Sequence, residues 1–251
     1  VKNKLIVFSC SYNCEKYIKN HIESVQKQTY QNFIHIIVDD ASTDNTYKII
    51  QKYQNNNTII YHNTKNQKWI KNAKNYLKSN STKNFIINDN DIIILLDGDD
   101  FFAKKNVLEI LNNFYNNNDC WITYSRMYYL SRKITSHWIP IYSKKDLEQK
   151  KFRNNIWSYT HLRTFRYFLW NHIQDKDLKD ENGEYFKYCY DQIVCIPMLE
   201  MASPNHVGFI DDILVVYNDA NPLSVEKIHR KEQENIRDYL YSKEKYHTLH
   251  F

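Results

Sequence analysis

Ile92-Ile93-Ile94-Leu95-Leu96-Asp97-Gly98-Asp99-Asp100 sets an unbroken apolar run directly against three acids. Such a run reads as a strand buried on both faces, the habit of a parallel sheet covered by helices. The acids then fall at the strand's carboxyl end, where open α/β sheets bind their ligands. Three carboxylates crowded there repel one another unless a cation joins them. Oxygen ligands suit Mg²⁺ or Mn²⁺, and such an ion would bridge a diphosphate and neutralise a departing nucleotide. The plainer reading is a solvated Asp-Gly turn, and a bare Asp-x-Asp leaves the two readings level. Its place behind an apolar strand favours the ligand.

Outward from this strand the chain alternates strand and helix. Residues 5–8, 33–38 and 58–61 read as strands. Ile18, Ile22 and Val25 recur at helical spacing, as do Ile70, Ala73 and Leu77. Residues 44–53 read as a helix with Asp44 as N-cap. Beyond the acids, Val107, Leu108, Leu111 and Phe114 mark another helix and residues 121–128 another strand. These repeated units predict an α/β chain with a mainly parallel sheet flanked by helices. The polar segment 80–91 reads as a flexible loop near a ligand. The Asn runs at 55–57 and 116–118 read as loops.

The second half is aromatic-rich. Helices are expected over 159–172, 191–201 and 225–245, and a strand over 213–217. No linker or repeat appears, so residues 1–130 and 131–251 read as two halves of one domain, the first binding a nucleotide and the second an acceptor.

Composition narrows the function. The chain has 251 residues, a formal net charge of +5 and only three Gly. Neither GxGxxG nor GxxxxGK[ST] occurs, so a dinucleotide dehydrogenase or a P-loop enzyme lacks its phosphate cradle. A metal-bridged diphosphate needs no such loop. The positive charge is mild and interspersed, which argues against nucleic acid. Cys10, Cys14, Cys120, Cys189 and Cys195 form no CxxC pair and predict free thiols in a reducing compartment. With no signal peptide and no apolar run of about 18 residues, a cytoplasmic protein without a membrane span is expected. The chain starts at Val1, as a domain excised from a longer protein would.

Two further strand ends complete the pattern: Ser9-Cys10-Ser11-Tyr12-Asn13 and Val38-Asp39-Asp40-Ala41-Ser42-Thr43-Asp44. Asp40 could accept from a pyrimidine N–H while Tyr12 stacks on the ring. Together with Leu95-Leu96-Asp97-Gly98-Asp99-Asp100, this order resembles the large inverting family-two nucleotide-sugar glycosyltransferases, over roughly residues 4–130. The resemblance implies a GT-A (Rossmann-like) fold. It places Ser9, Tyr12 and Asp40 at the nucleotide base, with Asp97 and Asp99 at the ribose, diphosphate and metal. It also assigns Asn72 and Lys74 to an Asn and a basic residue that relatives carry before strand four. Tyr190-Asp191 stands where relatives often have Glu-Asp, so only Asp191 inherits the role of general base. Tyr159-Thr160-His161-Leu162-Arg163-Thr164-Phe165-Arg166 resembles an HLRTF-containing subgroup, which puts His161 and Arg163 near the diphosphate or acceptor. The competing reading of that stretch is an amphipathic helix with Phe165, Phe168 and Leu169 inward.

The expected activity is transfer of a hexose, glucose or galactose, from a UDP-sugar to a hydroxyl acceptor, with Mn²⁺ or Mg²⁺. The acceptor is a glycan or a glycosylated protein, glycosylated hydroxylysine among the options, and a second copy of the chain is admitted as a partner. His206 and His229 are both open as a third metal ligand. Trp138, Trp157 and Trp170 are open as sugar platforms, although most Trp are core. Against this stand a non-catalytic carbohydrate-binding or scaffold domain and a phosphotransferase using Asp97 as nucleophile. The latter normally has its DxD after the first strand.

Overall fold

Leu5, Ile6, Val7 and Phe8 are all fully buried, because the strand they form is covered on both faces. The computed structural model describes residues 1–78, 85–153 and 157–250. The elements run β1 (Leu5–Ser11), α1 (Ile18–Gln26), β2 (Phe33–Asp39), α2 (Thr46–Gln51), β3 (Thr58–His62) and α3 (Lys68–Tyr76). They continue with β4 (Ile92–Leu95), β5 (Phe101–Phe102), α4 (Val107–Asn117), β6 (Ile122–Tyr129), β7 (Ile134–Thr135) and α5 (Lys144–Glu148). The last are β8 (Arg163–Arg166), α6 (Tyr167–His172), α7 (Tyr190–Met201), β9 (Val207–Tyr217), α8 (Val225–Ile228) and α9 (Arg230–Ser242).

Among the described residues one sheet takes the order β3-β2-β1-β4-β8-β6-β9-β5, with β7 paired to β6. The first four strands in this order are parallel. β8 is antiparallel to both β4 and β6, and β6 is parallel to β9. β6 therefore runs in the direction of β4, and both end at the same edge. Period-two alternation splits the core. Ile6, Phe8, Ile36, Val38, Ile93 and Leu95 pack with Trp69, Ile70 and the apolar residues of α7. On the other face Leu5, Val7, Ile92 and Ile94 pack with Val107, Leu108 and Leu111, and Ile37 packs with Ile18, Ile22 and Ile50.

Several expectations need correction. The helix expected over 159–172 is a strand followed by a short helix. Thr164 belongs to the centre of the sheet, where its hydroxyl meets those of Thr123 at 2.6 Å and Tyr115 at 2.8 Å. Those bonds make a polar, short strand tolerable in the core. Asp44 precedes α2 rather than capping it directly: one oxygen accepts from Thr46 N and the other from Glu15 N, tying α2 to the loop after β1. The C-terminal helix is divided at His229, and the strand expected at 213–217 begins already at Val207. Asn116 and Asn117 belong to the last turn of α4. Residues 80–84 of the expected loop lie outside the described residues. Phe85 and Ile87 are buried, and residues 85–91 lead into the amino end of β4, at the edge opposite the acids.

The C-terminal tail is held by a buried ion pair. Arg153 meets Glu200 through two bonds of 2.6 and 2.7 Å, and its remaining N–H groups reach the carbonyls of Leu240, Lys243 and Glu244. No helix among the described residues is long and apolar enough to cross a membrane.

Candidate active site

The acidic turn folds back over the end of β1. Gly98 N donates to Cys10 O, and a Cβ at Gly98 would lie 2.2 Å from Ser11 Oγ, so only glycine passes there. Asp100 N donates to Asp97 O at 2.9 Å, and this turn brings the side chains of Asp97 and Asp100 together. With His161 they form a cluster whose ligand atoms all lie within 4.8 Å of one another. Asp100 Oδ1 accepts from Asn218 N. Asp100 Oδ2 and His161 Nδ1 face each other at 3.9 Å, and neither has a hydrogen-bond partner among the described residues.

Burial disfavours charge here, and mutual repulsion adds to it. Asp97 is pushed up to about 7, mainly by burial, while a hydrogen bond from Tyr190 works the other way. Asp99 is raised by burial, and Asp100 is raised well above the usual carboxylate range by burial and by its two neighbours. Buried, mutually repelling carboxylates with an orphaned oxygen fit a hard divalent cation. His161 fits with one condition. Arg163 donates to its Nε2 at 3.0 Å, which leaves the ring proton on Nδ1, so Nδ1 would ligate only with that proton moved to Nε2 and the Arg163 bond given up.

Of the pair expected from sequence, Asp97 belongs to this cluster, together with Asp100. Asp99 Oδ2 instead accepts from Asn221 Nδ2 at 2.6 Å. Neither histidine proposed as third ligand joins the cluster. His206 stacks on Trp121 at the amino end of β6 and meets Asp119. His229 stacks on Tyr188 and meets Glu232. His161 joins the cluster because β8 starts at Arg163, beside Leu95 at the end of β4.

Arg163 is buried and reaches three ways: Nε to Tyr159 O at 3.0 Å, Nη1 to His161 and Nη2 to Asp191 Oδ2 at 3.3 Å. Burial opposes its charge, but Asp191, Tyr190 and Asp97 outweigh this and hold it protonated. Asp191 lies in the first turn of α7. Its neighbour Tyr190 donates to Asp97 Oδ2 at 2.6 Å and stacks on Trp69 with ring centroids 4.2 Å apart. The start of α7 is thereby pinned against the acidic turn.

Strand alternation decides which residues of the β1 end share the α3 face. Cys10 lies on it near Asp40 and Tyr12 follows in the bend after β1, whereas Ser9 points the other way and meets His35 Nε2 at 3.1 Å, fully buried. Ser9 thus faces away from Asp40, and Cys10 lies beside it. Asp40 accepts from Asn63 Nδ2, Gln67 N and Lys68 N at 2.7–2.8 Å, which leaves about one of a carboxylate's roughly four acceptor positions. Asn72 is buried, accepts from Asn63 and lies beside the Cys10 thiol. Lys74 is turned away and pairs with Asp175 at 3.1 Å.

Sequence reading missed two residues. Lys68 Nζ lies 5.8 Å from the ring centres of both Tyr12 and Tyr188. Its positive φ of 65° gives no signal in a lysine. His21 donates from Nδ1 to Asp100 O at 2.7 Å beneath the acidic turn and is kept neutral by burial, at about 4. A lone His on a helix carries no such message.

The family model described as glycosyl transferase family 2 matches residues 6–173, a span that contains the acidic turn, its β1 and β2 partners and β8. The chain belongs to glycosyl transferase family 2. Its mixed sheet with flanking helices is the GT-A fold. Chondroitin synthase of Escherichia coli is 26% identical over 234 residues, covering 83% of this chain and 32% of that protein. The chain spans about a third of the length of curated relatives it matches. The structure of S. aureus TarS 1–349 in complex with UDP superposes with a TM-score of 0.61 at 20% identity, covering 90% of this chain and 62% of that one. Mannosyltransferase PcManGT from Pyrobaculum calidifontis, in complex with GDP-Man and Mn²⁺, superposes with a TM-score of 0.61 at 11% identity, covering 98% and 66%.

Proposed function

We propose that this protein transfers a hexose from a UDP-sugar to a hydroxyl acceptor with the help of a divalent cation. The observation that carries the reading is the Asp97–Asp100–His161 cluster at the carboxyl end of β4, one residue's reach from Asp191 through Tyr190. TarS bound to UDP-GlcNAc and a relative named for UDP-Glc support a UDP-linked hexose. Glucose or galactose remains the sugar read from the sequence, and a glycan hydroxyl the acceptor.

In this reading Asp40 accepts the uracil N–H with its remaining lone pair, and Tyr12 stacks on the base. Lys68 reaches the diphosphate from between Tyr12 and Tyr188. Asp97 and Asp100, with His161 and the adjacent Asp99, hold Mn²⁺ or Mg²⁺. The ion, when bound, neutralises charge that develops on the leaving diphosphate. Asp191 removes the proton of the acceptor hydroxyl as that oxygen attacks the sugar carbon. Arg163 pairs with Asp191 and fixes its direction.

The test is thermal unfolding with Mn²⁺ and a panel of UDP, GDP, CMP and NAD. At a hundredfold excess over its dissociation constant, a ligand of the native state adds about 2.7 kcal/mol of stability. A rise in Tm with UDP that requires Mn²⁺ is the expected result. No rise with UDP, or a rise with GDP alone, overturns the donor assignment.

A further inference from the structure

The polar atoms of Asp100 are tied to separate parts of the chain. Its N donates to Asp97 O within the turn, its Oδ1 accepts from Asn218 N just past β9, and its O accepts from His21 Nδ1 on α1 at 2.7 Å. Oδ2 alone of them is without a partner among the described residues, and it is the atom that faces His161. With the backbone held on both sides of Asp100 and one carboxylate oxygen engaged, the direction of Oδ2 is set before any ion arrives.

His21 is itself held in one tautomer. A carbonyl only accepts, so the His21 proton is on Nδ1. Burial keeps the ring neutral, which leaves a lone pair on Nε2. His35 Nε2 lies 3.3 Å from His21 Nε2 and 3.1 Å from Ser9 Oγ, so His35 carries its proton there. Both imidazoles and Ser9 are fully buried, and the two rings form one donor chain from β2 through α1 to the acidic turn. Further bonds extend this contact. Ser24 Oγ accepts from Phe102 N at 3.0 Å, while Gln28 donates to Lys104 O and accepts from Leu108 N. His21, Ser24 and Gln28 follow at helical spacing along one side of α1 and its extension, and they meet the backbone between Asp100 and Leu108 in order. A residue of α1 needed only for packing would be apolar, as Ile18, Ile22 and Val25 are. A buried imidazole is costly unless its hydrogen bonds are made.

We propose that His21 is a positioning residue of the candidate metal site: through the Asp100 carbonyl it sets the direction in which Asp100 presents Oδ2 to a divalent cation. The proposal rests on the metal-assisted reading of the acidic turn. Fully buried, His21 acts only through Asp100, so its effect falls on the affinity for the ion.

Its test is titration of Mn²⁺ into the full chain by electron paramagnetic resonance, with Tm measured alongside, for wild type, His21→Asn, His21→Gln and Ser24→Ala. Asn places an amide N–H near the position of Nδ1 and keeps a donor for Asp100 O, whereas Gln carries its amide one carbon farther, toward His35. Partners that orient metal ligands are worth about 10–100-fold in metal affinity. His21→Gln should therefore weaken Mn²⁺ binding by at least about tenfold, and His21→Asn should stay close to wild type. Ser24→Ala breaks the next bond along α1 and should lower Tm without moving the Mn²⁺ titration. Equal Mn²⁺ affinity of wild type and His21→Gln overturns the proposal. So does an equal loss in His21→Asn and His21→Gln, or a loss in Ser24→Ala that matches the one in His21→Gln. Should His21→Gln not fold, His21→Ala takes its place with the same expected and overturning results. Each of these results leaves the metal reading standing, whereas no binding of Mn²⁺ to wild type overturns that reading and the proposal with it.

Discussion

The Tyr190 phenol donates to Asp97 Oδ2 at 2.6 Å while its ring lies nearly parallel to Trp69. One side chain thus orients a carboxylate of the proposed metal site and anchors the helix that carries Asp191. Tyr190→Phe keeps the stack and removes only the hydrogen bond. A hydrogen bond to a charged group contributes about 1.5–3 kcal/mol. The Mn²⁺ concentration giving half-maximal UDP-sugar turnover should therefore rise about tenfold or more, with Tm little changed. An unaltered Mn²⁺ titration would show that the bond is incidental.

Asp99 and Asp100 are separated by their partners, since Asp99 faces Asn221 and Asp100 faces His161 at 3.9 Å. Asp100→Asn is expected to weaken Mn²⁺ binding more than Asp99→Asn, by at least about tenfold. Direct titration of Mn²⁺ by electron paramagnetic resonance decides it, and the reverse order would return the role to Asp99.

Asp191→Asn keeps the size of the side chain and an acceptor for Arg163 but cannot take a proton. Turnover should fall by about 10²–10⁴-fold with UDP affinity unchanged. A parallel loss of UDP binding would mean that Asp191 shapes the donor site.

Asp97 titrates near 7, above its ordinary value, chiefly through burial. A carboxyl with a raised folded pKa stabilises fully below its unfolded pKa and loses that contribution as pH rises through about 7. The buried, neutral His21, His35 and His161 act in the opposite direction, so the total pH profile does not isolate Asp97. Asp97→Asn does, because it stays neutral at every pH. Relative to metal-free wild type, this variant should gain Tm as pH is raised from about 4 to about 7. A constant difference would place the Asp97 pKa near that of an ordinary carboxyl.

Arg153 and Glu200 are both buried, so removing one charge strands the other. Glu200→Gln should lower unfolding free energy by about 3–5 kcal/mol in urea titrations and release the tail bound at Leu240, Lys243 and Glu244. A loss below about 1 kcal/mol would mark the pair as no better than a surface one.

Much of this was legible in the sequence, for stated reasons. Strands buried on both faces announce themselves as apolar runs, so β1, β2 and β4 could be read directly, and the acids after β4 stood out against them. β8 could not. Arg163-Thr164-Phe165-Arg166 spends its polar groups on Asp191, Thr123, Tyr115 and Cys120 O, partners far away in sequence, and Phe165, Phe168 and Leu169 imitate a helix. The same distance hid the roles of His161, His21 and Asn221. The sequence motif did not show that Ser9 and Cys10, one residue apart on a strand, face opposite sides of the sheet.

β8 also sets the order in which the protein can be built. Ribosomes deliver β4 and β6 well before the strand that must lie between them. Until residues 163–166 arrive, two apolar edges stand open to any other strand in the cell. The middle of the sheet closes only once residues 163–166 are made, and β9 joins beyond it later still, an order of long-range pairings that slows folding and exposes the nascent chain to aggregation. A product cut short before β8 would keep the motifs that end β1, β2 and β4 and lack the strand that joins β4 to β6.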